Sequence, residues 1–289
     1  MPTLSFRRLV LILCLVSVPA LAQTTSTSSP PTSDPQAVAL LQKSLAALTG
    51  NALISDATLT GTVQRVAGSN NETGTVLLRT TALGDSRIDM TFPGGNRNEI
   101  RNHAGSPLAT SSASTISGTQ SPQPVGATLD PNGTVHPMAL NNLRSDPTWF
   151  FPPFTLERVS HVPSYVLSYI GEETHEGEAV LHVFAYETFP QTTIPNSQFV
   201  TIMKHLSGID LYFDPTTFLP IALAFDIHSS DNLFVDIAEE IRFSQYQTVN
   251  GVRIPFHVQR YINNGLGLDL QFSGLTMNSG VPATTFAIE

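Results

Sequence analysis

The stretch that decides the fold is Leu219-Pro220-Ile221-Ala222-Leu223-Ala224-Phe225-Asp226-Ile227. Its odd positions, Leu219, Ile221, Leu223, Phe225 and Ile227, are bulky and apolar, and its even positions are small, polar or proline. Period two is the signature of a strand with one buried face. The alternation returns in Val235, Ile237, Ile241 and Phe243, in Val252, Ile254, Phe256 and Val258, and in Leu266, Leu268, Leu270 and Phe272. Four consecutive strands therefore present bulky side chains to one side, and what covers that side decides what the protein can do.

Working outward, Asn250-Gly251 and Asn264-Gly265 supply hairpin turn signals between the last three of these strands. Upstream, strands are expected at Thr58–Arg65, Gly74–Thr80, Ser86–Phe92 and Arg97–Asn102, then at Tyr165–Gly171, Ala179–Tyr186 and Ile209–Phe213. A helix is expected from Gln36 to Thr49, with Asp34 as N-cap, Pro35 at the first position, Leu40, Leu41, Leu45 and Leu48 on one face, and Gly50 closing it. The Ser/Thr/Pro/Gly-rich run over 105–133 reads as a long loop, within a mobile insertion at 103–135. His136–Leu143 is a short helical candidate. The count is ten to eleven strands against one clear helix. Without strand–helix alternation, the fold class is mainly β with an antiparallel meander, one domain spanning 34–289.

The N-terminus is expected to be removed. Arg7 and Arg8 precede the apolar run Leu9–Val18, and Ala20-Leu21-Ala22 offers a cleavage site, so residues 1–22 read as a secretory signal peptide. The run is shorter than the ~20 residues a membrane anchor needs. Lipidation at Cys14 is disfavoured because Leu13 stands where a small residue belongs. Residues 23–33 are a flexible Ser/Thr/Pro leader. The expectation is a soluble periplasmic protein that does not span the membrane.

Removing the signal peptide takes away two of the 14 basic side chains and none of the 23 acidic ones, making the formal charge of −9 more negative by two. Such acidity argues against nucleic acid as a partner. The single Cys lies in the segment to be lost, so disulfides and thiolate metal sites are excluded.

Catalytic motifs are missing. No nucleophile elbow, phosphate-binding loop or dinucleotide fingerprint occurs. His175, Glu176, Glu178 and His182 surround a turn, but the spacing lacks the second His of a zinc-protease helix, and a solvated hairpin tip is the simpler reading. Asp130-Pro131-Asn132-Gly133 lacks the later ligands of a calcium loop. Asp210, Asp214 and Glu239 would have to share a sugar site to serve a glycosidase, and Glu239, which interrupts apolar parity between Ile237 and Ile241, is explained by a bulge or a mouth-facing position. No catalytic residue, cofactor or metal is therefore expected, and the chain is read as a non-enzyme.

The helix is about 20 Å long and 10 Å wide, whereas ten strands at ~4.8 Å spacing span nearly 50 Å, so it cannot cover the sheet. Closure into a barrel or sandwich would make the apolar residues ordinary core. An incompletely closed, strongly curved barrel would leave a hollow, and an acyl tail burying about ten methylenes there would gain on the order of 8 kcal/mol before ordering costs. The candidate ligand-facing residues are Leu219, Ile221, Leu223, Phe225, Ile237, Ile241, Phe243, Ile254, Phe256, Leu268 and Leu270. Trp149, Phe150, Phe151 and Phe154, set among prolines, are candidates for a lid or equally for core packing.

The pieces Leu211-Tyr212-Phe213-Asp214-Pro215-Thr216-Thr217-Phe218-Leu219-Pro220 and Phe243-Ser244-Gln245-Tyr246-Gln247-Thr248-Val249-Asn250-Gly251-Val252-Arg253-Ile254-Pro255 resemble the LolA-like superfamily of periplasmic lipoprotein-sorting carriers and related lipid-binding proteins. The hairpin from Ile170 to Val183 is similar to that family's mid-chain hairpin. The resemblance implies an open half-barrel with helices over its concave face, a lipid or acyl-chain ligand, and partners among lipoproteins or an outer-membrane acceptor. No position matches the family's functional Arg, so no functional residue is carried over, and the Ser/Pro-rich insertion departs from the family pattern. The leading reading is a binding or carrier protein for a lipid or acylated molecule. The alternatives are an envelope interaction module with a closed β core and, third, a glycan-acting hydrolase.

Overall fold

In the computed structural model, residues 31–103, 124–139, 141–188 and 197–288 are described. The expected signal peptide, most of the leader, and residues 104–123 of the expected insertion lie outside them.

Thirteen antiparallel strands form one sheet: β1 (Asp56–Ala67), β2 (Asn70–Thr81), β3 (Ser86–Phe92), β4 (Gly95–Asn102), β5 (Val125–Leu129), β6 (Val135–Pro137), β7 (Tyr165–His175), β8 (Glu178–Glu187), β9 (Ile209–Phe213), β10 (Pro220–His228), β11 (Asp236–Val249), β12 (Val252–Ile262) and β13 (Gly265–Met277). They lie in the order β6-β5-β4-β3-β2-β1-β13-β12-β11-β10-β9-β8-β7, with β6 and β7 as free edges, so the curved sheet is not closed. Two meanders meet where β1 pairs with β13. Strand after strand is joined by tight turns: Asn250 and Gly251 both have positive φ, as the mirror-image hairpin turn requires. In the next hairpin Asn263 and Asn264 take the positive-φ positions, and Gly265 opens β13 instead of closing the turn.

The register slips at Thr60/Gly61, Tyr169/Gly171, Pro220/Ala222 and Arg260/Tyr261. Each extra residue bends its strand and strengthens the twist, which curls a long sheet into a trough.

Helix α1 (Pro35–Thr49) forms as its sequence dictates. Asp34 accepts the Gln36 N–H at 2.8 Å, and Gly50, at φ 55°, sends its N–H back to the Ala46 carbonyl. Leu40, Leu41 and Leu48 are buried against the inner faces of β7 and β12. From β6 the chain crosses to the opposite edge through a short 3₁₀ turn at Asn142–Arg144 and helix α2 (Pro152–His161). This crossing buries Trp149, Phe150, Phe151, Phe154, Leu156 and Val159 in the same cluster as the inner strand faces. Helix α3 (Ser197–Ser207) lies on the other side, where Lys204 sits over the rings of Phe184 and Tyr186. Those rings alternate along β8 with the core residues Val183 and Ala185.

Three expectations are corrected. The strand count is thirteen, because β5 and β6 are short strands within and just after the Gly-rich run taken for a loop. The helical candidate His136–Leu143 instead holds the end of β6 and part of the 3₁₀ turn. Glu239 sits in unbroken register, paired with Phe225 and Ile262, so a bulge does not explain it. No helix among the described residues is long and apolar enough to cross a membrane.

Candidate functional site

Directly opposed residues of an antiparallel pair point to the same face of the sheet. Following the pairs Glu99–Ile88, Arg97–Met90, Arg65–Leu268, Leu268–Arg260 and Glu239–Ile262 therefore traces a set of side chains that all look into the trough. At this end of the trough the helices leave a hollow of about 420 Å³. Ile88, Met90, Ile262 and Leu268 give it apolar walls, and Arg65, Glu99 and Arg260 give it a charged side. For scale, a dry cavity of ~150 Å³ already admits a benzene ring.

The charged side is built from five strands, β1, β2, β4, β11 and β12. Arg260 donates from Nη2 and Nε to the two oxygens of Glu239, at 2.6 and 3.1 Å, and from Nη1 to Glu99 at 3.2 Å. Arg101 reaches the other Glu99 oxygen at 3.4 Å and donates to the carbonyls of Asn142 and Ser145, tying the crossing segment to the network. The Arg260 guanidinium also lies 5.2 Å from the centre of the Trp149 ring. Toward the strand ends, Glu72 is shared by Arg65 at 3.4 Å and Arg97 at 3.9 Å.

Burial alone would raise the Glu99 pKa, but the charges of Arg260 and Arg101 outweigh it and hold the carboxyl below its ordinary value. Burial opposes the charge on Arg260 as well, and Glu239 and Glu99 reverse that effect, keeping the guanidinium charged. Across the whole cluster four guanidinium groups face three carboxylates, Glu72, Glu99 and Glu239. The trough thus carries a local positive excess inside a chain of formal charge −9.

The residues singled out from the sequence divide unevenly. Leu268 lines the hollow. Leu219, Leu223, Phe225, Ile241, Phe243, Ile254, Phe256 and Leu270 are buried on the trough face within the main cluster. Ile237 is half-buried on that face, and Ile221 is the extra residue of the β10 bulge and only partly buried. Trp149, Phe150, Phe151 and Phe154 pack against the trough rather than standing free, with the first three at 1% exposure or less. His175 and His182 both lie against Tyr212, and they contact Glu240, Glu173 and Asp210. Asp214 caps its own turn, accepting the N–H groups of Thr216 and Thr217.

Sequence reasoning passed over Arg65, Glu99 and Arg260. The available signal was parity: Arg260 continues the buried even positions of β12 after Val258, just as Glu239 continues the odd ones of β11.

No family model matches the chain, and no curated protein matches it in sequence. Among solved structures, a domain described as an outer-membrane lipoprotein-sorting protein from Vibrio parahaemolyticus is similar to it, at 12% identity and a TM-score of 0.49, covering 87% of this chain and 96% of that one. A DUF1329 family protein from Desulfovibrio piger is similar at 12% identity and a TM-score of 0.48, again over 87% and 96%. A LolA superfamily protein from Nitrosomonas europaea is similar at 10% identity and a TM-score of 0.45, over 87% and 97%. These likenesses concern the course of the chain and leave its ligand to be read from its own residues.

Proposed function

We propose that this is an exported, non-enzymatic carrier that holds a lipid or acylated molecule in the trough, with an acidic head group against the arginines. The observation that carries the reading is the hollow itself, which sets apolar Ile88, Met90 and Leu268 beside Arg65 and Arg260 in one recess. Apolar walls with a few convergent polar groups are what a small-molecule site requires. The arginine excess selects a carboxylate or phosphate head over a neutral one, because in a low-dielectric recess a guanidinium attracts an anion far more strongly than it does in water. Export rests on the Arg7, Arg8 and Leu9–Val18 segment. Lipoproteins or an outer-membrane acceptor are the partners such a carrier would serve.

The test is uptake of a fluorescent fatty acid by delipidated protein, with palmitate and the corresponding neutral alcohol as competitors. Saturable uptake displaced better by palmitate supports the reading, and displacement by phosphatidic acid better than by palmitate assigns a phosphate head. The densely filled half of the trough, where α1, α2 and the Trp149 segment pack on the strands, favours a second reading. In that case the protein is an envelope interaction module with a closed core, and none of the probes is taken up.

A further inference from the structure

On the convex side of the sheet, away from the hollow, three chemistry-bearing side chains converge. His228 ends β10 and Asp236 begins β11, and the two are direct cross-strand partners, so their side chains leave the same face. That face is the one opposite the core, since His228 follows Ala224 and Asp226 in alternation with buried Leu223 and Phe225. Helix α3 runs over it and brings down His205 from its last turn.

His228 Nδ1 stands 3.1 Å from Asp236 Oδ1, and His205 Nε2 stands 3.2 Å from the same oxygen. One donor atom from each of the three residues lies within 4.8 Å of the others. A tetrahedral zinc ion with bonds of about 2.0–2.1 Å separates its ligand atoms by roughly 3.3 Å, so two of the three edges already have the required length. The His228 side chain is fully buried, with Nδ1 the nitrogen turned toward Asp236. His205 also lines a recess of about 340 Å³ with Lys204, Asp210 and Asp226, which offers an ion a way in.

From this convergence we infer that His205, His228 and Asp236 form a site for a divalent transition cation of the zinc class. Two imidazoles and one carboxylate are borderline donors that suit zinc, nickel or copper and disfavour calcium and magnesium, which take oxygen ligands. Three protein ligands leave a tetrahedral ion one position for water or for a group entering from the recess. The ion would also fasten α3 to the β10–β11 hairpin. No metal is expected from the sequence because residues 205, 228 and 236 follow no ligand spacing: a helix and two strands supply one each.

The site does not depend on the lipid reading, and its test is separate. Chelator-stripped protein without a polyhistidine tag is titrated with zinc chloride by calorimetry. One equivalent should bind, and His205→Ala and Asp236→Asn should each weaken it at least about tenfold, since even second-shell losses cost that much. Both positions are partly exposed, so the variants should fold, with circular dichroism as the check. His257→Ala, which removes the separate His257–Asp269 pair, should bind zinc as the wild type does. Zinc should raise the Tm of the wild type and the His257 variant only. No saturable uptake, uptake that survives in both ligand variants, or an equal loss in His257→Ala overturns the assignment.

Discussion

Arg260 grips both oxygens of Glu239 from the neighbouring strand, at 2.6 and 3.1 Å, and Glu239 is 1% exposed on the apolar side of the sheet. Removing one member of such a pair strands a buried charge, whereas replacing both by apolar residues removes the desolvation cost along with the attraction. Glu239→Ala or Arg260→Ala should each destabilise by about 3–5 kcal/mol. The double variant Glu239→Leu/Arg260→Met should unfold near the wild-type urea midpoint, with Arg101 still paired to Glu99. Additive losses in the double variant would show that the pair is not an isolated buried unit.

Acid should weaken the same network through Glu99. Its carboxyl is held below the ordinary value of 4.5 in the folded protein, so the unfolded chain binds its proton more readily. The resulting stabilisation is fully present above the unfolded pKa and is lost as pH falls through the lower, folded one. Urea midpoints of the wild type and Glu99→Gln, measured from neutral pH downward, should therefore converge toward acid. A constant difference between them would contradict the assignment.

Filling the hollow should separate binding from folding. Met90→Trp places a large ring into space lined by Ile88 and Leu268, so fatty-acid uptake should fall at least tenfold while stability changes by no more than about 1–3 kcal/mol. Equilibrium dialysis with the fluorescent probe, alongside thermal unfolding, reads both quantities. Unchanged uptake would place the ligand elsewhere.

The seam between the two meanders has its own sensitive point. A Cβ on Gly61 would stand 2.1 Å from the Gln271 carbonyl oxygen of β13, a backbone atom that cannot step aside. Gly61→Ala should cost about 3 kcal/mol or more by forcing β1 from β13. Gly68→Ala, with open space around it, tests the contrast: only its φ of 61° is strained, so its loss should be nearer 1 kcal/mol in the same denaturation series.

Much of the architecture could be read along the chain because its signals are local. Asp34, Pro35 and Gly50 bound α1, Asn250-Gly251 turns β11 into β12, and the alternation from Val252 to Val258 marks the buried face of β12. Where local signals thin out, the reading failed. Val125–Leu129 is a five-residue strand holding a Gly and an Ala, and Val135–Pro137 is shorter still, so neither shows a period. Helix α3 carries Val200, Met203 and Leu206 at helical spacing, a legible signal in a segment left unassigned. The site was the harder part. Glu239 stood out as a break in parity, but its partner Arg260 is a strand away and Glu99 lies across the trough on β4, with no spacing rule linking the three.

By itself, the sequence determined which faces of the strands are apolar, where the long hairpins turn and how α1 begins and ends, since side-chain alternation, caps and turn residues act over a few bonds. The tertiary structure alone decided that β1 joins β13, that the sheet stays open between β6 and β7, that Arg65 of β1, Glu99 of β4 and Arg260 of β12 share one recess, and that His205 meets His228 and Asp236. Those outcomes depend on how a bulged, twisted sheet curls and on what the crossing segment leaves uncovered, and both are set by packing between residues that the linear order holds apart.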